Sequence, residues 1–353
     1  MPLTRSKYGR LFTAYTLAAI AQIISASSFA QDLTVLTWED YIEPAVVEAF
    51  EAKFNAKVKF IYYGDDDERD VMLAHSGGLG YDLICVDEAA VNSYIANDWV
   101  QKINTEKIAN HHYLSLKPIS TDETWRAYAV PYFWGTMGII YRSDLVSKPL
   151  TRWKDLYAPS PELAGKIIML ETTQVLVGMG LKANGRALTD TSAEAFWEVE
   201  KLLVAQKPFV AAYRNIHMDE RSWLVSGKAV AAMAYNGDAL VVMELHPELV
   251  YTHPAEGGTL WIDFWMLSKS SQNEPLALRF LNFINNPNVA AKNAEYVNYA
   301  TPNKEAEKYL PKEFLENESI YPSKEYLSSS QIFPSWTPRL MKRATNIIMR
   351  VTR

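Results

Sequence analysis

Short runs of β-branched and aromatic residues alternate with segments of helical spacing, and this alternation constrains the fold more than any other feature of the chain. Residues 33–38, 57–63 and 81–86 have the composition of strands. Between them, residues 45–54 and 69–75 read as helices. Strands that alternate with helices predict an α/β fold, in which ligands bind beyond the carboxyl ends of the strands.

Aromatic and acidic side chains occur at the ends of several predicted strands. They follow the strands at 33–38 and 81–86 in the first part of the chain, and the predicted strands at 166–170 and 229–235 further on. The residues at these positions are Trp38, Tyr41, Asp87, Glu171, Tyr235 and Asp238. Because such strand ends meet at one edge of an α/β sheet, we expect these side chains to contribute to a binding site.

Trp261 and Asp263 lie two residues apart in an apolar run that predicts a strand, after the turn formed by Gly257 and Gly258. Residues i and i+2 of a strand project from the same face. An indole ring beside a carboxylate suits an organic cation. The alternative is that Trp261 packs in the core and Asp263 caps a neighbouring helix.

The first thirty residues have the pattern of a secretory signal peptide. Arg5, Lys7 and Arg10 precede an apolar run at 11–24, and Ser28-Phe-Ala30 has the small-x-small pattern of a cleavage site. We therefore predict a signal peptide at residues 1–30 and an exported, periplasmic protein. Loss of the three basic residues takes the net charge from −6 to −9.

This negative charge disfavours nucleic acid as a partner and favours cations. The chain has one cysteine, Cys85, so it cannot form an internal disulfide. Cys85 lies in a run that predicts a buried strand, where a thiol acts as a small hydrophobic group. Residues 130–141 are apolar but contain proline and glycine, which predicts a segment that crosses into a second domain.

A series of motifs extends over nearly the whole chain after residue 30. They are Leu36-Thr-Trp-Glu-Asp-Tyr41, Tyr81-Asp-Leu83, Val130-Pro-Tyr-Phe-Trp-Gly135, Thr151-Arg-Trp-Lys-Asp-Leu156, Tyr235-Asn-Gly-Asp238, Glu256-Gly-Gly258, Trp261-Ile-Asp263 and Tyr299-Ala-Thr-Pro-Asn303. In this order they resemble the spermidine/putrescine-binding periplasmic proteins of polyamine ABC transporters.

The resemblance implies a two-lobed α/β periplasmic binding protein of type II, in which each lobe is a mainly parallel sheet flanked by helices. Lobe 1 would comprise residues 31–132 and 263–301, and lobe 2 residues 133–262 and 302–353. Crossover segments near Phe133, Ile262 and Thr301 would act as hinges. The protein would be a monomer, without cofactor or metal, that captures a polyamine between the lobes and delivers it to the permease subunits of an inner-membrane ABC transporter.

The resemblance also implies roles for individual residues. Trp38 and Tyr41 match a wall after the first strand, Trp261 and Asp263 match the pair that holds an ammonium group, and Tyr299 matches a tyrosine at the last crossover. Three further positions differ from or vary within the family. Tyr235 replaces a tryptophan, Asp238 matches an acid of putrescine-type members, and Glu171 lies near the acids of the second lobe.

This chain departs from the family pattern at two places. Thr172 and Val175 occupy slots beside Glu171, so the usual spaced pair of acids is not reproduced. Asp87 stands where the family has serine, and Ala89 where it has tyrosine. With acids at Asp87 and Asp238, we expect a putrescine-sized ligand in preference to spermidine.

Two other classes of protein would use similar residues. An exported glycoside hydrolase needs tryptophans and a pair of carboxylates. The chain contains no Gly-x-Ser-x-Gly elbow and no His-Glu-x-x-His zinc motif, and we predict that it is not an enzyme. A ferric-ion binding protein would show adjacent liganding tyrosines, for which Tyr62 and Tyr63 are the candidates.

Overall fold

A computed structural model describes residues 31–115 and 123–352 of the chain. The predicted signal peptide lies outside the described residues. Within the described ranges, no helix has both the length and the apolar character needed to span a bilayer.

Ten strands form the framework of the part of the chain that the structure describes. They are β1 (Gln31–Thr37), β2 (Ala56–Tyr62), β3 (Leu83–Asp87), β4 (Val100–Gln101), β5 (Ala129–Arg142), β6 (Ile167–Met169), β7 (Val210–Tyr213), β8 (Ala231–Tyr235), β9 (Leu249–Thr252) and β10 (Leu260–Ser268).

Twelve α-helices are described on and between these strands. They are α1 (Pro44–Phe54), α2 (Asp66–Ser76), α3 (Glu88–Ala96), α4 (Trp153–Tyr157), α5 (Thr173–Ala183), α6 (Ala193–Gln206), α7 (Asn236–Met243), α8 (Glu274–Ile284), α9 (Pro287–Val297), α10 (Lys312–Leu315), α11 (Lys324–Ser329) and α12 (Pro338–Thr352). The predicted α/β class is therefore confirmed.

The strands follow the order β2-β1-β3-β10-β5-β8-β6-β7, with β4 beside β10 and β9 beside β5. The outer strands pair in parallel: β1 with β2 and β3 at one end, and β6 with β7 and β8 at the other. The long strands β5 and β10 run antiparallel to their neighbours. The predicted parallel pairing thus describes the outer strands, and the connecting strands make the sheet mixed.

Both faces of the central strands are buried. In β1, Val35 and Leu36 are fully buried and belong to separate apolar clusters, and Ile84 and Cys85 of β3 divide in the same way. Because neighbouring residues of a strand point to opposite faces, each strand is covered by helices on both sides. This explains the continuous apolar runs in the sequence, and Cys85 is the buried free thiol that the sequence predicts.

The strand β5 connects the two parts of the sheet. Its first half pairs with β10, and its second half pairs with β8 and β9. At the middle of β5, Trp134 pairs with Ile262 of β10 and forms an isolated bridge with Ala300, whose carbonyl accepts a 3.0 Å hydrogen bond from the Trp134 amide. The three segments predicted as crossovers therefore lie side by side.

Two of the sequence motifs meet at a structural contact away from these crossovers. The carboxylate of Glu256 accepts a hydrogen bond from the Trp153 amide at 3.1 Å, and the Trp153 indole donates to the Gly257 carbonyl at 2.9 Å. Gly257 has a φ of +74°, and a Cβ atom there would lie 2.3 Å from the Ser329 carbonyl oxygen. These motifs therefore hold the start of α4 and the end of α11 against the chain that leads into β10.

Candidate functional site

A cavity of about 710 Å³ lies where the two parts of the sheet meet. One side is formed by the loops after β1 and β2, the end of β3, and β10. The other side is formed by the start of α7 and the loop after β7, and the end of α9 completes the wall. The lining residues are Trp38, Glu39, Asp40, Tyr41, Tyr62, Tyr63, Gly64, Asp65, Asp66, Glu68, Asp87, Thr172, Asn215, Ile216, Met218, Tyr235, Gly237, Asp238, Val241, Trp261, Asp263, Tyr296, Val297 and Tyr299.

The cavity collects eight of the nine predicted site residues. Trp38, Tyr41, Asp87, Tyr235, Asp238, Trp261, Asp263 and Tyr299 all line it. Glu171 does not belong to the described lining, although its neighbour Thr172 does. Glu171 is exposed, and its pKa is raised by partial desolvation and by the charges of Asp65 and Asp67. It therefore lies close to the acidic loop that leads into α2.

The charge of the lining has one sign. Among the described lining residues, eight are aspartate or glutamate and none is lysine or arginine. The acids are Glu39, Asp40, Asp65, Asp66, Glu68, Asp87, Asp238 and Asp263. A concave surface with this composition attracts cations and repels anions.

Asp263 is buried beside the hydroxyl of Tyr41. The side chains of Asp263 and Tyr41 are 5% and 8% exposed, and the tyrosine hydroxyl donates a hydrogen bond to Oδ2 of the carboxylate. Burial raises the pKa of Asp263 to about 8, although the Tyr41 hydrogen bond acts in the opposite direction. The carboxyl group is therefore costly to ionise until a cation comes close.

Asp238 has a similar partner on the other side of the cavity. It lies in the first turn of α7, and its Oδ1 accepts a 3.0 Å hydrogen bond from the Tyr299 hydroxyl. Burial raises the pKa of Asp238 to about 6, and the hydrogen bond from Tyr299 lowers it in part. Two carboxyl groups, each held by a tyrosine hydroxyl, thus face the same space.

Aromatic rings connect these two carboxyl groups. The ring centroid of Tyr299 lies 4.6 Å from that of Trp261 and 6.1 Å from that of Tyr41, both in edge-to-face geometry. Trp38 packs edge-on against Tyr41 at 5.1 Å, and Tyr235 packs against Trp261 at 6.0 Å. Because edge-to-face packing leaves ring faces available, the walls offer π surface to a cation.

The position of Trp261 depends on a glycine in the adjacent strand. Trp261 pairs with Gly135 across β10 and β5, and its indole nitrogen donates to the Thr136 carbonyl at 3.3 Å. A Cβ atom on Gly135 would lie 2.4 Å from the indole ring. Only a glycine at this position leaves room for the tryptophan, which explains the glycine within the apolar run of β5.

Both carboxylate oxygens of Asp87 accept hydrogen bonds from groups within the protein. It lies opposite Asp263 in the β3–β10 register, and its Oδ1 caps α3 by accepting from the amides of Ala89 and Ala90 at 2.8 and 3.1 Å. Its Oδ2 accepts a 2.7 Å hydrogen bond from Arg69. Burial raises the pKa of Asp87, but Arg69 and the backbone donors outweigh burial and the pKa is lowered overall.

Sequence reasoning missed several residues of this region. The acidic residues 65–68 lie at the start of α2, and Asp65 caps this helix by accepting from the Glu68 amide at 2.8 Å. However, Asp66 lines the cavity and pairs with the buried Arg69 at 2.8 Å. The position of Asp66 could have indicated its role. Because β1 and β2 are parallel, the loop after β2 lies at the same sheet edge as the loop after β1.

Tyr62 and Tyr63, the candidate ferric-ion ligands, lie in different environments. Tyr63 is buried, and its hydroxyl donates to the Cys85 carbonyl at 2.9 Å, whereas Tyr62 is 47% exposed. Among the described residues, no group of three or more histidine, cysteine, aspartate or glutamate side chains is arranged to hold a metal ion.

The family model of bacterial extracellular solute-binding proteins matches residues 45–321, so the chain belongs to this family. This is a family of binding proteins, in agreement with the prediction that the chain is not an enzyme. The chain is 29% identical over 318 residues to the norspermidine sensor of Vibrio cholerae, covering 89% of this chain and 87% of the relative. It is 27% identical over 322 residues to the spermidine/putrescine-binding periplasmic protein of Salmonella typhimurium, covering 90% of each chain.

A solved structure shows the same fold. A putative spermidine/putrescine ABC transporter protein from Listeria monocytogenes superposes with a TM-score of 0.83 at 29% identity, over 91% of this chain and 99% of that chain. The resemblance inferred from the motifs is therefore confirmed, as is the two-lobed fold class. None of these relatives supports a glycoside hydrolase or a ferric-ion binding protein.

We expect Asp263 to titrate near pH 8 and Asp238 near pH 6 in the protein without added ligand. Tyr41→Phe removes a hydrogen bond that favours the Asp263 carboxylate, so the pKa of Asp263 should rise further, by roughly one unit. Tyr299→Phe is the matched control, since it should raise the pKa of Asp238 and leave that of Asp263 in place. Carboxyl carbon NMR over a pH series measures both. An Asp263 pKa near 4, or equal effects of the two variants on it, would contradict this account.

Proposed function

We propose that the chain is a periplasmic polyamine-binding protein that captures a short diamine such as putrescine and delivers it to an ABC transporter. The observation that carries the proposal is the pair of tyrosine-held carboxyl groups, Asp263 and Asp238, in a cavity whose described lining contains eight acids and no basic residue. The Salmonella typhimurium relative is a spermidine/putrescine-binding protein and the Vibrio cholerae relative a norspermidine sensor, and these polyamines support the same ligand class.

A diamine satisfies the chemistry of this cavity. At neutral pH it carries an ammonium group at each end of an apolar chain, and the two groups would pair with Asp263 and Asp238. The rings of Trp38, Trp261 and Tyr299 would cover the methylene chain and add cation–π contacts of about 0.5–2 kcal/mol each. A buried carboxyl with a raised pKa gains its counter-ion when the amine binds, which offsets the cost of desolvating both charges.

We further propose that binding closes a hinge. The lobes would have the predicted boundaries, 31–132 with 263–301 and 133–262 with 302–353. Asp263 and Asp238 then approach the ligand from opposite lobes, and both contacts form fully when the cleft shuts. The adjacent crossovers at Trp134, Ile262 and Ala300 are the natural pivot. Asn215 already reaches across the mouth to the Gly64 carbonyl, at 3.4 Å.

Export and delivery complete the proposal. Residues 1–30 would be removed as a signal peptide, and the mature monomer would release its ligand to permease subunits in the inner membrane. The Vibrio relative is a sensor, so sensing is the second candidate. Uptake of labelled putrescine by cells that lack the protein separates the two, because a delivery protein is needed for uptake and a sensor is not.

Calorimetric titration of the mature protein tests the ligand class. We expect heat with putrescine and cadaverine, weaker binding of spermidine, norspermidine and spermine, and a binding stoichiometry of about one to one. Absence of heat with every amine, together with turnover of an oligosaccharide, would replace this proposal by the hydrolase.

Asp263→Asn should weaken putrescine binding by about 2–5 kcal/mol while the fold is retained, because one partner of a desolvated charge pair is lost. Asp98→Asn is the matched control, since Asp98 is exposed and pairs with Lys269 outside the cavity. Its affinity should equal that of the wild type. If Asp263→Asn binds putrescine as tightly as Asp98→Asn, the assignment of Asp263 is wrong.

Small-angle scattering tests the hinge. The radius of gyration should fall when putrescine is added to saturation, because the lobes close around the ligand. The same titration with Asp263→Asn should show no compaction at that concentration. An unchanged radius of gyration for the wild type at saturation would refute the hinge and leave the ligand assignment standing.

A further inference from the structure

Arg69 is a buried cation whose partners all belong to the protein, and it lies directly behind the cavity wall. The side chain is 1% exposed. Its guanidinium donates to Asp66 at 2.8 Å, to Asp87 at 2.7 Å and to the Tyr94 hydroxyl at 2.7 Å. It also contacts Asp70 at 3.2 Å. All three nitrogens are therefore engaged.

The surroundings of this guanidinium have the same composition as the proposed ligand site. Its central carbon lies 5.5 Å from the ring centroid of Tyr63 and 5.6 Å from that of Tyr94, within cation–π range. Carboxylates and aromatic faces surround Arg69, just as Asp263, Tyr41 and Trp38 surround part of the cavity. The two sites share a wall, because Trp38 packs on Tyr63 at 4.7 Å.

Two of the carboxylates that Arg69 holds belong to the cavity lining. Asp66 and Asp87 both line the cavity, whereas Arg69 lies outside the described lining. Asp87 is also the cross-strand neighbour of Asp263. Without Arg69, this end of the cavity would present three adjacent carboxyl groups to a ligand. With Arg69 in place, the ionised Asp87 has a counter-ion within the protein, and Asp66 is held by the same guanidinium. Burial raises the pKa of Asp66, which disfavours a second negative charge there.

We propose that Arg69 is a specificity-determining residue that limits how many ammonium groups the cavity accepts. By holding Asp66 and Asp87 it leaves Asp263 and Asp238 as the tyrosine-held acids that can pair with the ligand, and so favours a diamine over a triamine. This inference rests on the proposed amine-binding function and deepens it. Arg69 acts through the two aspartates, since it has no described contact with the cavity itself.

The physical reason is the cost of unpaired charge. A triamine that extends its third ammonium group towards Asp66 meets carboxylates that already have a counter-ion, and it must desolvate that group without gaining a partner. A diamine avoids this cost because both of its ammonium groups are paired. The site therefore discriminates in two ways. It provides a carboxylate for each ammonium group of the diamine, and it provides no unpaired carboxylate for the third ammonium group of the triamine.

Titration of wild type, Arg69→Met and Arg69→Lys with putrescine and spermidine tests the proposal. The readout is the ratio of the two dissociation constants, which a loss of stability alone does not change. In Arg69→Met the freed carboxylates should improve spermidine relative to putrescine at least about tenfold over wild type. Arg69→Lys keeps the charge and should keep the wild-type ratio. Thermal unfolding confirms that each variant is folded.

Asp66→Asn provides a second test that retains Arg69. In this variant the guanidinium loses a counter-ion, so its positive charge repels the longer amine. The affinity for spermidine should fall more than the affinity for putrescine, by about threefold or more. A ratio that is unchanged in this variant and in folded Arg69→Met would overturn the proposal, as would a tenfold preference of the wild type for spermidine. Those results leave amine binding intact, whereas a wild type that binds neither amine removes the proposed function as well.

Discussion

The buried contact between Asp263 and Tyr41 is the interaction on which the rest of the site depends. Asp263 lies on a strand that is buried along its whole length, and its carboxyl group accepts a hydrogen bond from the Tyr41 hydroxyl. Burial raises its pKa to about 8, so the ionised form is disfavoured until a positive charge arrives. The surrounding aromatic packing holds Tyr41 in place, with Tyr132 and Phe133 edge-on at 5.7 and 5.5 Å.

This contact is connected to the architecture through β10. The same strand carries Trp261 and Asp263 and pairs with β3 at Asp87. On its other side it pairs with β5, where Ile262 lies opposite Trp134. A ligand that pulls on Asp263 therefore acts on a segment next to the proposed pivot. On the opposite side, Asp238 lies at the start of α7 and is held by Tyr299, which follows α9. Ligand binding and the proposed lobe closure would thus involve the same few elements.

Much of the fold was predictable from local patterns. The predicted helix at 45–54 matches α1, and the predicted strands at 166–170 and 229–235 correspond to β6 and β8. The short strand β9 and the helix α5 were not predicted. α5 contains Gly178 and Gly180 within an apolar run, so its sequence lacks a polar face, and it is buried on nearly all sides.

The site was predictable where a residue's role follows from its place at a strand end, as for Trp38, Asp238 and Asp263. It was not predictable where the role depends on a partner distant in sequence. The sequence predicts Asp87 as a ligand carboxylate, but in the structure its Oδ2 accepts a hydrogen bond from Arg69, eighteen residues earlier. Glu171 follows its strand as expected, but α5 begins so soon after it that Thr172, and not Glu171, reaches the cavity.

Proton release on amine binding tests the central claim most directly, since it reports whether a buried carboxyl group ionises when the cation arrives. Calorimetric titration with putrescine at pH 7, repeated in buffers of different ionisation enthalpy, gives the number of protons exchanged. With a pKa of about 8 for Asp263 and about 6 for Asp238, the account predicts release of about one proton for each amine bound. Tight binding with no proton released at pH 7 would show that Asp263 is already ionised, and would contradict the account.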